Sequence, residues 1–563
     1  PILEGDIDCL KDPDKLILPE SIARKIFGDQ PAVGKMLHAE ENVETKDNRE
    51  YTVGAVYKDF PGNTQMRNLI YTAIGPTFQR DNFGASNFAC YVLLDKAESA
   101  QDVVDNFNAN FDFTKIGKKD QQLKLTPLTA IYYLNESQDG MIFRSGNNEV
   151  TLLLFFIALL IIIVAAINFT NFSTALTPLR IKSINTQKVL GSSDRLLRNA
   201  LLAEAAIVSL IAWSISLVLV WMLGRATALP FVEADLSILK NLPIVLITGG
   251  VALITGVVAG LYPSWYVTSF PPALVLKGSF GLSPSGRKLR TILVSVQFIV
   301  SILLIIGASF VQLQNDYMRS FSLGFDKDQI AIVELSGELY NKHHETYVNR
   351  LKEFPDIEDV AFAMEKVASK DGYSTNGAVL KQKEFHFFMI MTSPNFLRVM
   401  GIPVEEGRDF SLSDELSEEP VYIFNETAKL AVNMEQGDIL QSWIPGRIIG
   451  FTGNVKFTSL RNGENNIAFV VSKMPYPMSV SYIRLKAGSD VHAAVNHIRK
   501  TLADLDPAYP FDVQFYDTIF NHLYHKEENL RSLITVFSIL AIIISLVGVF
   551  GLVVFDTQYR RKE

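Results

Sequence analysis

The chain has 563 residues, of which 20% are charged and 48% hydrophobic, and its net charge is -8. That acidic balance, with no basic stripe interleaved with aromatics, excludes a general nucleic-acid binder. A soluble chain of this length can hide as much apolar surface in several cores, so the distribution of apolar residues decides the class rather than their total.

Residues 1–147 have ordinary polarity and mix short β-type runs with amphipathic stretches, which reads as an α+β domain. A short helix is expected over Glu20–Phe27, stopped at Gly28, and an amphipathic one over Ala100–Phe111. The segment Gly28–Lys35 imitates a phosphate-binding loop. It has one residue too many between its glycines, however, and Met36 stands where Ser or Thr is needed. The only two cysteines, Cys9 and Cys90, fall in this region; a disulfide and two free thiols both fit the sequence.

Five apolar segments follow, each long enough for the ~20 helical residues that cross a bilayer core. They run over Val150–Thr174, Leu201–Leu223, Leu242–Val267, Ile292–Val311 and Leu533–Val554, with Glu204 near one end. The loops between them orient the chain. Arg180, Lys182, Lys188, Arg195 and Arg198 lie between the first two spans against the single acid Asp194. Lys277, Arg287, Lys288 and Arg290 lie between the third and fourth, and Arg560, Arg561 and Lys562 follow the fifth. The loop between spans two and three instead balances Arg225 and Lys240 with Glu233 and Asp235. Positive charge favours the cytoplasm, so these three basic segments are expected inside, and residues 1–147 and 315–528 outside. The chain begins in mid-domain at Pro1, and at least one further helix is expected before it.

In the second polar region, Val491, Val495, Ile498 and Leu502 mark one face of a helix over Asp490–Leu502. His522 and His525 lie three apart beside Glu527 and Glu528, but Lys526 among them opposes a bound cation, and a polar helix is expected there. No residue set for nucleophilic or metal chemistry stands out, so no enzyme activity and no cofactor are expected.

The two halves repeat. Gly54–Phe60 matches Gly450–Lys456, Leu18–Ala23 matches Phe424–Ala428, and Tyr91–Leu94 with its following helix matches Tyr482–Leu485 with its own. Thr129–Tyr132 matches Thr518–Phe520, and the first span leads to Arg180 as the fifth leads to Arg560. These matches keep their order at offsets of roughly 380 to 406 residues, the mark of a tandem duplication. The expected partition is an outside domain at 1–147, then membrane helices at 148–290 with cytoplasmic loops at 175–199 and 268–290. A helix at 291–314 opens the second half, a second outside domain fills 315–528, and 529–563 holds the last helix and the start of a second coupling element.

Several of these residues resemble the MacB/FtsX-type ABC permeases. Asn147–Thr151 running into Ala166–Ala175 resembles that family's first helix after the outside domain. Arg180–Gly191 resembles its cytoplasmic element, Tyr262–Tyr266 with Pro272–Gly278 its proline-containing motif, and Leu289–Phe298 the opening of its second half. Gly401–Phe410 and Phe424–Ala428 look like the MacB periplasmic core domain. The resemblance implies a polytopic α-helical membrane protein with two α+β extracytoplasmic domains, in a tandem duplicated architecture. Its place would be the bacterial inner membrane, with large domains in the periplasm. It also implies a separate ATP-binding cassette ATPase, two copies per chain, whose motion the helices pass outward (mechanotransmission). The work would be export of drugs or peptides, or extraction of lipoproteins, with a periplasmic adaptor or lipoprotein carrier as a further partner. The alternative is an FtsX-like regulator of a periplasmic partner such as a cell-wall hydrolase.

The coupling residues on this reading are Arg180, Lys182, Lys188, Val189, Leu190 and Gly191 in the first copy, and Arg560, Arg561, Lys562 and Glu563 in the second. From the residues alone, a helix continuing past the membrane can transmit tilt along its length, and anchoring at lipid headgroups explains the charges equally well. The family's acid, glycine and arginine are replaced here by Ser183, Asn185 and Gln187, which weakens the first copy and suggests asymmetric couplers. Asn168, Asn171, Gly256 and Gly260 are expected to pack helices together.

Overall fold

The computed structural model describes residues 1–39, 49–62, 64–74, 90–116, 122–133, 146–225, 232, 236–271, 284–367, 375–458, 460, 463, 465–473, 478–522 and 524–560. The chain divides into two compact units: Pro1–Asn147 with Ser322–Tyr524, and Asn148–Phe321 with His525–Glu563.

In the first segment, β1 (Ile2–Gly5), β2 (Lys15–Pro19), β3 (Met36–Ala39), β4 (Arg49–Tyr57) and β5 (Tyr71–Thr72) form one sheet in the order β1-β4-β2-β5, with β3 also on β4. β2 and β4 run parallel and the other pairs antiparallel. Leu16, Leu18, Val53 and Val56 bury one face under α1 (Glu20–Phe27), which stops at Gly28 with φ +65°. α2 (Ala100–Asn110) and α3 (Leu128–Ile131) follow. Tyr91–Leu94, matched in the sequence to Tyr482–Leu485, forms no strand, and Leu93 is fully exposed. Its counterpart in the second segment is held between two neighbouring strands, which this segment does not supply among the described residues. Cys9 and Cys90 are free thiols.

The membrane unit begins with α4 (Asn148–Ala175), α5 (Thr177–Val189), α6 (Asp194–Arg225), α7 (Leu242–Thr268) and α8 (Pro284–Ser320). The second α+β segment contributes β6 (Ile330–Glu334), α9 (Gly337–Lys352), β7 (Ile357–Ala363), β8 (Thr375–Leu380), β9 (Lys383–Met391), α10 (Phe396–Met400), β10 (Val404–Gly407) and α11 (Leu412–Glu415). It continues through β11 (Val421–Asn425), α12 (Glu426–Val432), β12 (Ile439–Leu440), β13 (Gly446–Thr452), β14 (Ile467–Val471), β15 (Val480–Leu485), α13 (Val491–Leu505), β16 (Val513–Phe515) and α14 (Tyr516–His522). The last helix, α15 (His525–Arg560), returns to the membrane unit.

Two sheets build this second segment. The four-stranded one, β16-β6-β15-β7, is covered by Leu339, Tyr347 and Leu351 of α9 and by Ala494, Ile498 and Leu502 of α13. Val491, expected on that buried face, is 43% exposed because it opens the helix directly after its Asp490 cap. The seven-stranded sheet, β10-β13-β11-β14-β9-β8 with β12 on β13, packs an aromatic core of Phe385, Phe387, Tyr422 and Phe424.

Five strands of the larger sheet share the order and directions of the first segment's sheet: β10, β11, β12, β13 and β14 stand as β1, β2, β3, β4 and β5 do. The irregularities coincide as well. The parallel pair skips Gly54 between Leu16 and Ile17, and skips Ile449 between Tyr422 and Ile423. The antiparallel pair shifts between Ile2 and Glu4, and between Val404 and Glu406. The strands therefore equate Gly450 with Ala55, one residue away from the match read in the sequence. Gly54 has its own cause: a Cβ there would meet the Cys9 side chain at 2.5 Å.

Five helices are long and apolar enough to cross a membrane: Asn148–Ala175, Asp194–Arg225, Leu242–Thr268, Lys288–Ser320 and Glu527–Val554, covering the five expected segments. With 37 residues, α8 is about 55 Å long, well beyond the ~30 Å hydrocarbon core. α15 packs antiparallel to it, and beyond the apolar stretch Arg319 pairs with Glu528 while Arg531 donates to Gln312 at 3.1 Å. Ile157 of α4, Leu304 of α8, and Ile534 and Ala541 of α15 form a shared core.

Candidate coupling site

The expected helix running unbroken out of the membrane is two helices. α4 ends at Ala175, and α5 restarts at Thr177 with Pro178 in its first turn. Proline lacks the N–H that would continue the hydrogen-bond ladder, so the ladder is interrupted there. α5 lies against α7. Ile181, Ile184 and Asn185 are buried beneath it, and Ile184 meets Leu197, Leu201 and Val267.

Two of the expected coupling cations serve this packing. Arg180 holds Glu204 of α6 through both guanidinium nitrogens, at 2.6 and 3.0 Å. Lys188 donates to the Thr268 carbonyl, one of the carbonyls left open at the end of α7, and pairs with Asp194 at 2.8 Å. Arg198 adds a 2.8 Å bond to the Thr268 hydroxyl. A cation at a helix C-terminus also meets the negative end of the helix dipole. Arg180 and Lys188 thus brace the element against α6 and α7, while Lys182 is exposed.

The tip is apolar and open. Val189 is 63% exposed and Leu190 80%, with Leu179 and Leu196 exposed nearby in the chain. Gly191, at φ +100°, ends α5, and the Ser192 N–H closes back on the Gln187 carbonyl. A side chain at Gly191 would strain that turn. Of the three departures from the family element, Ser183 and Gln187 are exposed, whereas Asn185 is buried and donates to the Ile181 carbonyl at 2.8 Å. In the second copy, α15 reaches Arg560, while Arg561, Lys562 and Glu563 lie outside the described residues, as do Pro272–Gly278.

The packing residues fall into two interfaces. Gly256 and Gly260 face α6: a Cβ on Gly256 would meet the Ser209 Cβ at 2.6 Å, and one on Gly260 the Ala205 Cβ at 2.8 Å. Asn168 donates to the Ile544 carbonyl of α15 at 3.2 Å, and Asn171 is buried in the bundle. Sequence reading missed Glu204 as the partner of Arg180, and Thr268 as the acceptor of two cations. Glu204 was visible as an isolated acid at a span's end; a backbone carbonyl leaves no trace in a sequence. Among the described residues, no group of three or more His, Cys, Asp or Glu side chains is placed to hold a metal.

Residues 155–272 match the FtsX-like permease C-terminal family. That match spans Ala166–Ala175, Arg180–Gly191 and Tyr262–Tyr266, and it bears out the family resemblance read from those residues. Among solved structures, the periplasmic region of MacB from Actinobacillus actinomycetemcomitans is similar at 16% identity and a TM-score of 0.27, over 36% of this chain and 94% of that one. The extracellular domain of the noncanonic ABC-type transporter YknZ from Gram-positive bacteria is similar at 14% identity and a TM-score of 0.26, over 33% of this chain and 99% of that one. No curated protein matches the sequence.

Proposed function

We propose that this chain, whose residues 155–272 form an FtsX-like permease segment, is the permease subunit of an ABC transporter worked by a separate ATPase. The observation that carries the reading is the exposed Val189–Leu190 tip on an element pinned to two membrane helices. An apolar knob with nothing over it suits a groove on a partner, and burying such side chains is worth about 1.5–3 kcal/mol each. The Arg180–Glu204 and Lys188–Thr268 braces make α5, α6 and α7 one lever, so a push on the tip moves helices rather than bending a loop.

The matching strand orders and irregularities of the two outside sheets support a tandem duplication, with Arg560–Glu563 opening a second coupling element. Two elements per chain call for two ATPase copies. The basic segments favour the coupling elements inside and the α+β domains outside, and the FtsX-like match suits a bacterial inner membrane with those domains in the periplasm. ATPase-driven tilt then reaches those domains through α4, α8 and α15. The product of that motion is export of a drug or peptide, or extraction of a lipoprotein, handed to an adaptor or carrier.

Purification of the tagged chain in mild detergent, with identification and counting of its subunits, tests the proposal. An ATPase at two copies per chain is expected. A hydrolase without an ATPase, under conditions that keep complexes intact, replaces it with a regulator of the cell wall.

A further inference from the structure

The helices α4 and α15 meet at one unusually close point. The Asn168 amide donates to the Ile544 carbonyl at 3.2 Å and occupies the space that a Cβ on Gly548 would need. One turn further on, the Phe172 ring covers Gly551, with its Cε2 3.3 Å from where a Cβ would sit. Ile157 clusters with Ile534 and Ala541 earlier along both helices, so the two run parallel. The offset that equates Arg180 with Arg560 is 380 residues, and 168 + 380 = 548: Asn168 and Gly548 are equivalent positions. Equivalent positions of parallel helices face each other only at a twofold axis.

We infer that Asn168 and Gly548 form a pairing lock on the pseudo-twofold axis of the membrane unit, so that the helix of one half accepts the helix of the other half and not its own kind. Pairing α4 with another α4 sets amide against amide in a space that holds one. Pairing α15 with another α15 sets glycine on glycine, with no side chain to fill the gap and no interhelical bond. Only the unlike pair supplies an amide, a slot and a carbonyl together. Inside a bilayer, packing and hydrogen bonds rather than water exclusion select partners, and discrimination comes from the clash built against the wrong one. On the adjoining face of α15, the Ser301 and Ser545 hydroxyls meet at 2.6 Å and Ser538 donates to the Leu304 carbonyl at 3.2 Å, which fixes the rotation of the helix that presents Gly548.

The inference rests on the proposed duplication, and a swap separates the two. Asn168→Gly, Gly548→Asn and the double exchange are made in the full-length chain, and their thermal unfolding rates are compared in detergent. Asn168→Gly is expected to unfold about threefold faster, the size of an average interhelical hydrogen bond in a membrane. Gly548→Asn is expected to be worse, because two amides then compete for one slot. The double exchange re-forms the lock with roles reversed and is expected to return to the wild-type rate. Single variants at the wild-type rate overturn the lock. Harmful single variants with no recovery in the double exchange show that the contact matters but the positions are not equivalent, which overturns the symmetry on which the inference stands. If Gly548→Asn does not fold, Asn168→Gly against the double exchange decides alone.

Discussion

Replacing Val189 and Leu190 together by alanine separates docking from bracing. The two side chains are 63% and 80% exposed, so the isolated chain loses little by their truncation and its unfolding midpoint should not move. Bound in an ATPase groove they would be buried. Removing most of both side chains should then cost about 2–3 kcal/mol, which weakens binding roughly 30- to 150-fold. Arg180→Ala should behave oppositely. It breaks the paired bonds to Glu204, which are half-exposed and worth at most about 1 kcal/mol of stability, and it leaves the apolar tip intact. Titration of purified ATPase against each variant in nanodiscs gives the affinity, and a thermal melt of the chain alone gives the stability. An unchanged affinity for Val189→Ala with Leu190→Ala would refute the docking argument. So would a loss reproduced in full by Lys182→Ala, since charge would then be doing the binding.

Gly256→Leu should push α6 and α7 apart, because even a Cβ meets Ser209 at 2.6 Å; a loss of about 1–3 kcal/mol is expected in detergent melts, against little change for Gly250→Leu, which faces open space. Asp414, buried and held by two 2.7 Å bonds from Arg408, has its carboxyl pulled down to about 2 by that guanidinium. Its folded value lies below its unfolded one, so its stabilisation is present above about pH 4 and lost as pH falls through about 2. Asp414→Asn should therefore cost about 2 kcal/mol at neutral pH in thermal unfolding, with the gap to wild type closing below pH 4. Asn454→Ala should loosen the start of α12, since its Oδ1 accepts from the Thr427 N–H at 2.9 Å and hydroxyl at 2.8 Å; about 1 kcal/mol of lost protection is expected in hydrogen exchange there.

The five helices long and apolar enough to cross a membrane were legible because a bilayer demands length and apolarity, and both are written in runs such as Val150–Thr174. The likeness of the two sheets was legible because strand–helix junctions such as Leu18–Ala23 and Phe424–Ala428 keep their residue types. The one-residue error at Gly54 came from trusting a shared glycine: in one strand it makes room for Cys9, and in the other Gly450 yields to crowding carbonyls of Glu406 and Arg408. At the proposed coupling element the chain position and apolar tip could be read. The roles of Arg180 and Lys188 could not, because their partners come from helices 24 and 80 residues away. The break after Ala175 had a signal in Pro178 that the expected continuous helix overlooked.

The central claim is that ATP turnover inside moves domains outside. It is tested most directly by the distance between spin labels at Lys25 and Lys500, exposed helical positions in the two α+β segments, in a chain carrying Cys9→Ala and Cys90→Ser. The chain is reconstituted with its ATPase, and pulsed dipolar spectra are taken without nucleotide and with ATP trapped. A shift of the distance distribution, abolished when Val189 and Leu190 are alanine, is the predicted result. An unchanged distribution in a complex that still hydrolyses ATP would contradict the account.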